Sequence, residues 1–219
     1  MSTFFPILLS SLFILVADAE RIPIKNVQDA VRQLKLDLPE GRTRALDWLN
    51  RKQNKVVDAN LHPNDVLRPY LKSETKKYAL IARAFMRWAR SKDADALIGM
   101  NNIEVGSQKI FGFTAIGTLF RVNPERGREY FEEQIKGKVK GFQNRAIMGI
   151  ADMGGTAEGL VMPLLKSKTP KVVESTARIL AKIGTHRCIP ALDQAAAATT
   201  SRGLKKHIEK AKSKIKARK

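Results

Sequence analysis

The 219-residue sequence predicts an all-α fold, a right-handed α-solenoid of about five stacked helical hairpins. Three observations carry this reading. A motif recurs: Pro69-Tyr70-Leu71-Lys72-Ser73-Glu74-Thr75 returns as Pro163-Leu164-Leu165-Lys166-Ser167-Lys168-Thr169. The stretch after each copy matches too, Ala94-Asp95-Ala96-Leu97 against Ile189-Pro190-Ala191-Leu192. Apolar residues also return in columns. Phe85, Leu119, Ile150 and Leu180 form one, and Trp88, Val122, Met153 and Ile183 another, both with steps of 34, 31 and 30 residues. A period of about 20–50 residues marks supersecondary units that bury their apolar stripes only by stacking. Finally, apolar spacing is helical nearly throughout, with no strand-like alternation of useful length.

The elements follow in order. Residues 1–19 read as an export leader: Phe4 to Ala17 is a short apolar run, and Ala17-Asp18-Ala19 offers a small-x-small cleavage site. The run of about 14 residues is too short for a membrane-spanning helix, which needs roughly 18 or more. Export to the periplasm, cell envelope or exterior is therefore expected, with an uncleaved N-terminal anchor or a buried apolar first segment as the alternatives and no span in the mature chain. Asn26 caps a helix carrying Val27, Ala30, Val31 and Leu34; Pro39 and Gly41 break it; a second helix carries Ala45, Leu46, Trp48 and Leu49. Gln53 to Pro63 reads as the longest connection.

From there helices come in pairs, the solenoid proper spanning residues 20–200. The longer members are expected over Thr75–Ala89, Ser107–Val122, Lys140–Met153 and Pro170–Ile183. The shorter ones are expected over Asp93–Gly99, Pro124–Ile135, Thr156–Leu165 and His186–Ala198. Asn123-Pro124 favours a turn and helix start. Gly154-Gly155 and Gly184 sit where a left-handed C-cap is cheap only for glycine. Pro163 and Pro190 fall inside the shorter helices, where each removes a donor and favours a bend. Residues 201–219 read as a basic capping helix and tail. Leu204, Ile208, Ala211 and Ile215 share one face of Arg202–Lys216, and lysines occupy the other.

The later units resemble HEAT repeats. The stretch Ala177-Arg178-Ile179-Leu180-Ala181-Lys182-Ile183-Gly184 followed by Ile189-Pro190-Ala191-Leu192 is closest to that pattern: an alanine-rich first helix ending in apolar-Gly, then a Val-Pro-Ala-Leu-like start. Ala146 to Leu165 and Ala82 to Leu97 follow it less closely, and Val27–Leu71 only faintly. The leader makes the chain look like the exported bacterial branch of such proteins. The resemblance, over about residues 27–216, implies a binding or scaffolding role without naming a partner.

Composition bounds the partner. The net charge of +19 attracts anions, and 43% hydrophobic residues argue for a real core. Arg202 to Lys219 holds nine Lys or Arg and one Glu. The candidate anion-binding residues are Arg202, Lys205, Lys206, Lys210, Lys212, Lys214 and Lys216. A run like this can bind nucleic acid or an anionic surface through counterion release; it can equally be a solvated helix with a frayed end. On this view deleting residues 212–219 leaves the helical content nearly intact.

Catalytic motifs are missing: there is no Walker loop, Gly-x-Gly-x-x-Gly, Gly-x-Ser-x-Gly or His-Glu-x-x-His. The sole cysteine, Cys188, permits no internal disulfide, and reads as a small apolar residue. His186-x-Cys188 offers two ligands where a metal site needs three or four, so His186 is expected exposed. Glu125, Glu129, Glu132 and Glu133 interleave with Arg126 and Arg128 and read as a charge-paired helix rather than an acid–base pair. Trp48, Phe85, Trp88, Phe111, Phe113 and Phe120 read as core. No catalytic, metal or cofactor site is expected. A protein partner is the first functional expectation, and an anionic polymer or surface the second. Nucleic acid enters only if the chain is not exported, as HEAT-like DNA glycosylases hold DNA. A bilin-lyase-like activity, found on related repeats, has no supporting residues here.

Overall fold

The computed structural model describes residues 23–36, 39–51, 62–72, 78–101, 108–138 and 141–218, with the side chains of residues 72, 101 and 108–114 excepted. The leader, the connection 52–61 and the side chains of Phe111 and Phe113 lie outside the described residues. Among those described, the elements are twelve α-helices joined by 3₁₀ turns, with no strand. The fold is an all-α solenoid of helical hairpins. Its chain divides into two compact units, Met1–Ala89 and Arg90–Lys219.

In the first unit α1 (Val27–Leu36) packs on α2 (Pro39–Arg51). Asn26 caps α1, its Oδ1 accepting from the Asp29 amide at 2.8 Å. Val27, Ala30, Val31 and Leu34 meet Ala45, Leu46 and Leu49 in the core. Pro39 starts α2, where a missing donor costs nothing. Gly41 does not break a helix as expected; it lies buried inside α2. Trp48 also departs from expectation. It is only half-buried and lines a shallow cleft with Arg44 and Arg51.

The short α3 (Pro63–Leu67) runs into a 3₁₀ turn at Arg68–Lys72, and α4 (Tyr78–Arg87) packs on α2. Polar ties lock the unit. Trp88 Nε1 donates to the Leu49 carbonyl at 3.1 Å, Asn50 to Leu80 at 3.1 Å, and the buried Asn64 to Phe85 at 3.0 Å. Buried donors without such partners cost about 1–3 kcal/mol each, so these bonds fix how the helices meet.

The second unit holds α5 (Ala94–Asn101), α6 (Gln108–Val122), α7 (Pro124–Lys136), α8 (Phe142–Ala151), α9 (Glu158–Val161), α10 (Pro170–Ile183), α11 (Ile189–Ala198) and α12 (Arg202–Lys216). The longer helices stack in order: α6 on α8, α8 on α10, α10 on α12. Leu119, Ile150 and Leu180 are fully buried, as is Phe85 in the first unit. The second column departs from expectation. Trp88 is fully buried, but Val122, Met153 and Ile183 are half-buried, because they fall at or just past the last turn, on the rim of the stack. In the second unit the buried columns are Ala115, Ala146 and Thr176, and Ile116, Ile147 and Ala177; at the matching positions of the first unit Ile81 and Ala82 are buried too.

The repeated motif folds alike in both places. Arg68–Lys72 and Met162–Lys166 are both 3₁₀ turns closing a short α-helix, with Leu71 and Leu165 buried. The matching stretches Ala94–Leu97 and Ile189–Leu192 both open a helix after a three-residue 3₁₀ turn, Ser91–Asp93 and His186–Cys188, with Leu97 and Leu192 fully buried. Pro163 and Pro190 therefore occupy first turns, where a proline removes no bonded donor, and mark the switch between 3₁₀ and α winding.

Joints behave as chemistry requires. Asn123 caps α7, its Oδ1 accepting from Arg126 at 3.2 Å. Gly154 takes φ +64°, the left-handed value that excludes most side chains. Gly184 does not: it is extended, with φ −65° and ψ 149°. What demands glycine there is space, since a Cβ would lie 2.7 Å from both Cys188 Sγ and the Leu180 carbonyl oxygen. Polar bonds between hairpins span about one repeat. Gln143 donates to Ser175 at 2.7 Å and Asn123 to Ser91 at 3.1 Å, both across 32 residues. Buried Glu158 accepts from the Thr185 amide and hydroxyl, each at 3.1 Å.

Candidate functional site

The last helix is built from its N-cap. Ser201 Oγ accepts from the Leu204 amide at 3.3 Å, and Leu204, Ile208, Ala211 and Ile215 are all buried where α12 meets α10 and α11. Their 4-3-4 spacing fixes one helix face inward. Everything charged on the helix must then point outward or sideways. Arg202, Lys205, Lys206, Lys210, Lys214 and Lys216 are exposed.

Lys212 stands apart from the other candidates. Its ammonium is ion-paired with Asp193 of α11 and lies 2.9 Å from Glu209 Oε1. The bond to Asp193, then that to Glu209, raises its pKa. Lys212 therefore ties α12 to α11, and its charge is already answered. Arg218 has a structural task too. Its guanidinium donates to the carbonyls of Leu180 at 3.3 Å, Ala181 at 2.9 Å and Lys182. These are last-turn carbonyls of α10, which a cation satisfies both as donor and against the helix dipole. The expected frayed end is thus docked through residue 218.

Two of the candidate lysines, Lys210 and Lys214, share a cleft of about 390 Å³ with three basic residues not among those candidates: Arg178 and Lys182 of α10 and His207 of α12. The floor is apolar, formed by Ile147, Ala181 and Ala211. Arg178 is partly answered, by Asn144 Oδ1 at 3.4 Å and Glu174 Oε1 at 4.0 Å. Among the described residues, Lys182, His207, Lys210 and Lys214 have no carboxylate within 4 Å. Arg178 and Lys182 are four apart on α10, so their shared face was readable. That this face borders α12 was not, because it depends on how the helices stack. Arg202, Lys205, Lys206 and Lys216 lie outside the cleft.

Other residues singled out in the sequence serve the fold. Arg126 pairs with Glu129 at 3.4 Å, Glu133 at 3.7 Å and Asp95 at 4.0 Å; Lys136 pairs with Glu132 at 3.0 Å. Arg128 donates to the Leu160 carbonyl at 3.4 Å. The acidic run is a charge-paired helix face. Phe120 on Phe131 and Tyr130 on Phe142 meet edge-on and Phe131 on Phe142 meets tilted, with ring centroids 5.6–6.2 Å apart, at the join of α6, α7 and α8. His186 is exposed, while Cys188 is fully buried with its thiol donating to the Thr185 carbonyl at 3.1 Å. Burial, then the nearby Glu158 carboxylate, pushes the thiol pKa up to about 11. Such a thiol is inert at neutral pH.

No protein-family model matches the chain, and no curated relative matches it in sequence. Among solved structures it is similar to a designed armadillo repeat protein. That match has 13% identity and a TM-score of 0.44, and covers 87% of this chain and 100% of the other. It is also similar to an engineered protein at 17% identity and a TM-score of 0.44, covering 89% and 98%. No helix among the described residues is long and apolar enough to cross a membrane.

Proposed function

We propose that this chain is a non-catalytic interaction module of HEAT-like type, exported, which holds a protein partner on its solenoid surface. The observation that carries the reading is how charge is used in the second unit. Its buried or clustered acids are committed to structure: Asp93 to the Arg90 amide at 2.8 Å, Glu158 to Thr185, and Glu129 and Glu133 to Arg126. Lys182 of α10 and Lys205, Lys206, Lys210, Lys214 and Lys216 of α12 stand exposed with no carboxylate within 4 Å among the described residues. Acids engaged by structural partners leave a positively charged surface, and exposed cations beside apolar surface suit recognition.

A second reading is binding of an anionic polymer or surface, and it too has an observation in its favour. Lys205, Lys206, Lys210, Lys214 and Lys216 are all exposed, and none has a carboxylate within 4 Å among the described residues. Photo-crosslinking in cells, from a photoreactive side chain placed at exposed sites on α10 and α12, separates the two. A single recurring protein adduct supports the module. Absence of protein adducts, together with retention on heparin that fades with salt, supports the polymer. N-terminal sequencing of fractionated native protein tests export: a mature chain starting near Glu20 outside the cytoplasm is expected, and an intact cytoplasmic chain sinks that part of the reading.

A further inference from the structure

The cleft between α10 and α12 combines two features that a plain basic surface lacks. Its rim carries Arg178, Lys182, His207, Lys210 and Lys214, and its narrow floor is carbon: half-buried Ala181 with the outer edges of the otherwise buried Ile147 and Ala211. At about 390 Å³ it falls in the usual range of ligand clefts, roughly 300–1,000 Å³. A further apolar side chain stands exposed on a neighbouring helix. Met148 on α8 is 52% exposed, unusual for a side chain of its kind here. It sits one turn beyond Asn144, which bonds Arg178, so it lies on the helix face that borders the cleft. Methionine is the adaptable apolar residue of binding surfaces.

A polyphosphate or polysaccharide would use the rim and waste the floor. A neutral apolar peptide would leave the cations unanswered. We propose that this cleft binds an acidic peptide segment with one apolar anchor. The anchor seats on Ile147, Ala181 and Ala211, and flanking carboxylates pair with Arg178, Lys182, Lys210 and Lys214. This deepens the module reading, and rests on it, by naming the chemistry of the partner.

The test uses the full chain and fluorescence anisotropy. The probes are a labelled Glu-Glu-Leu-Glu-Glu peptide, the same peptide with Ser for Leu, and inorganic polyphosphate as competitor. The Leu peptide binds, and loss of its buried anchor weakens binding by roughly tenfold. The triple variant K182Q/K210Q/K214Q weakens it by about tenfold or more, whereas K205Q/K206Q/K216Q, which removes equal charge outside the cleft, changes it by less than about threefold. Equal loss in both triples overturns the proposal, as does equal affinity for the Ser peptide, binding of polyphosphate alone, or no peptide binding. The peptide comparison needs no variant, so it stands even if a variant folds poorly. If the peptides fail while crosslinking still captures a protein from other faces, the cleft assignment falls and the module reading survives.

Discussion

Gly117 of α6 lies so close to Gly149 of α8 that a Cβ built on Gly117 would stand 2.5 Å from the Gly149 carbonyl oxygen. No Cβ tolerates that distance, and the obstacle is backbone on a packed helix. The contact sets how near two successive repeats approach.

Gly117→Ala is therefore expected to destabilise the chain, by about 1–3 kcal/mol as for overpacked cores. Gly99→Ala makes the control, since nothing lies within 4 Å of a Cβ there. It should stabilise by roughly 0.5–1 kcal/mol, the usual gain from replacing a helix-interior glycine. Urea unfolding of both variants reads the two signs. If both stabilise, α6 and α8 are not in that close register.

Ile150→Ala or Leu180→Ala should cost about 2–5 kcal/mol, because both side chains are fully buried. In a stack of hairpins the loss spreads mainly to neighbouring units. Hydrogen exchange should rise around α8, α10 and α12 in Leu180→Ala and much less at Leu46. An equal rise at Leu46 would mean the chain opens as one body.

The tail behaves differently from a solvated end. Deleting residues 212–219 removes the buried Ile215, the Lys212–Asp193 tie and the Arg218 bonds to α10. We expect loss of helical signal and a lower Tm, a reversal of what the bare sequence suggested. Neutralising exposed Lys205, Lys206 and Lys216 to Gln should instead stay within about 0.5 kcal/mol of wild type. Circular dichroism melts of the two proteins check this; matching Tm values would show Arg218 and Ile215 carry no stability.

These cases show what a sequence can and cannot disclose. Apolar period and punctuation placed α6, α7, α10 and α12 within a residue or two, since each helix writes its own buried stripe. Leu204, Ile208, Ala211 and Ile215 were legible for the same reason. Properties that belong to two helices at once were not. The partners of Arg218 lie 36–38 residues earlier, and no helical wheel predicts them. Arg178 and Lys182 join Lys210 and Lys214 only through stacking. Glycine misled at Gly41 and Gly184 because it reports missing space as readily as an unusual turn.

Alkaline pH should weaken the last hairpin through Cys188. The thiol titrates near 9.0 ordinarily and at about 11 in the fold. Between those values the unfolded chain has lost its proton and the folded one has not, so the unfolded state gains and stability falls as pH rises. Below about pH 9 both states hold the proton and the effect vanishes. Urea midpoints should decline from about pH 9 to 11 more steeply in wild type than in Cys188→Ala. Tyr130, pushed up to about 12 chiefly by burial, adds a similar decline to both proteins and cancels in the comparison. Parallel curves would show that the thiol meets water in the native state.

The clasp of Arg218 on α10 also fixes an order in time. A ribosome delivers α10 long before residue 218, so the exit end of that helix must wait with its last carbonyls bare to water. Earlier hairpins can close as they emerge. The final one gains its latch only when α12 has been made, has wound and has swung back, so a stalled or truncated nascent chain carries an unfinished edge where the finished protein has a sealed one.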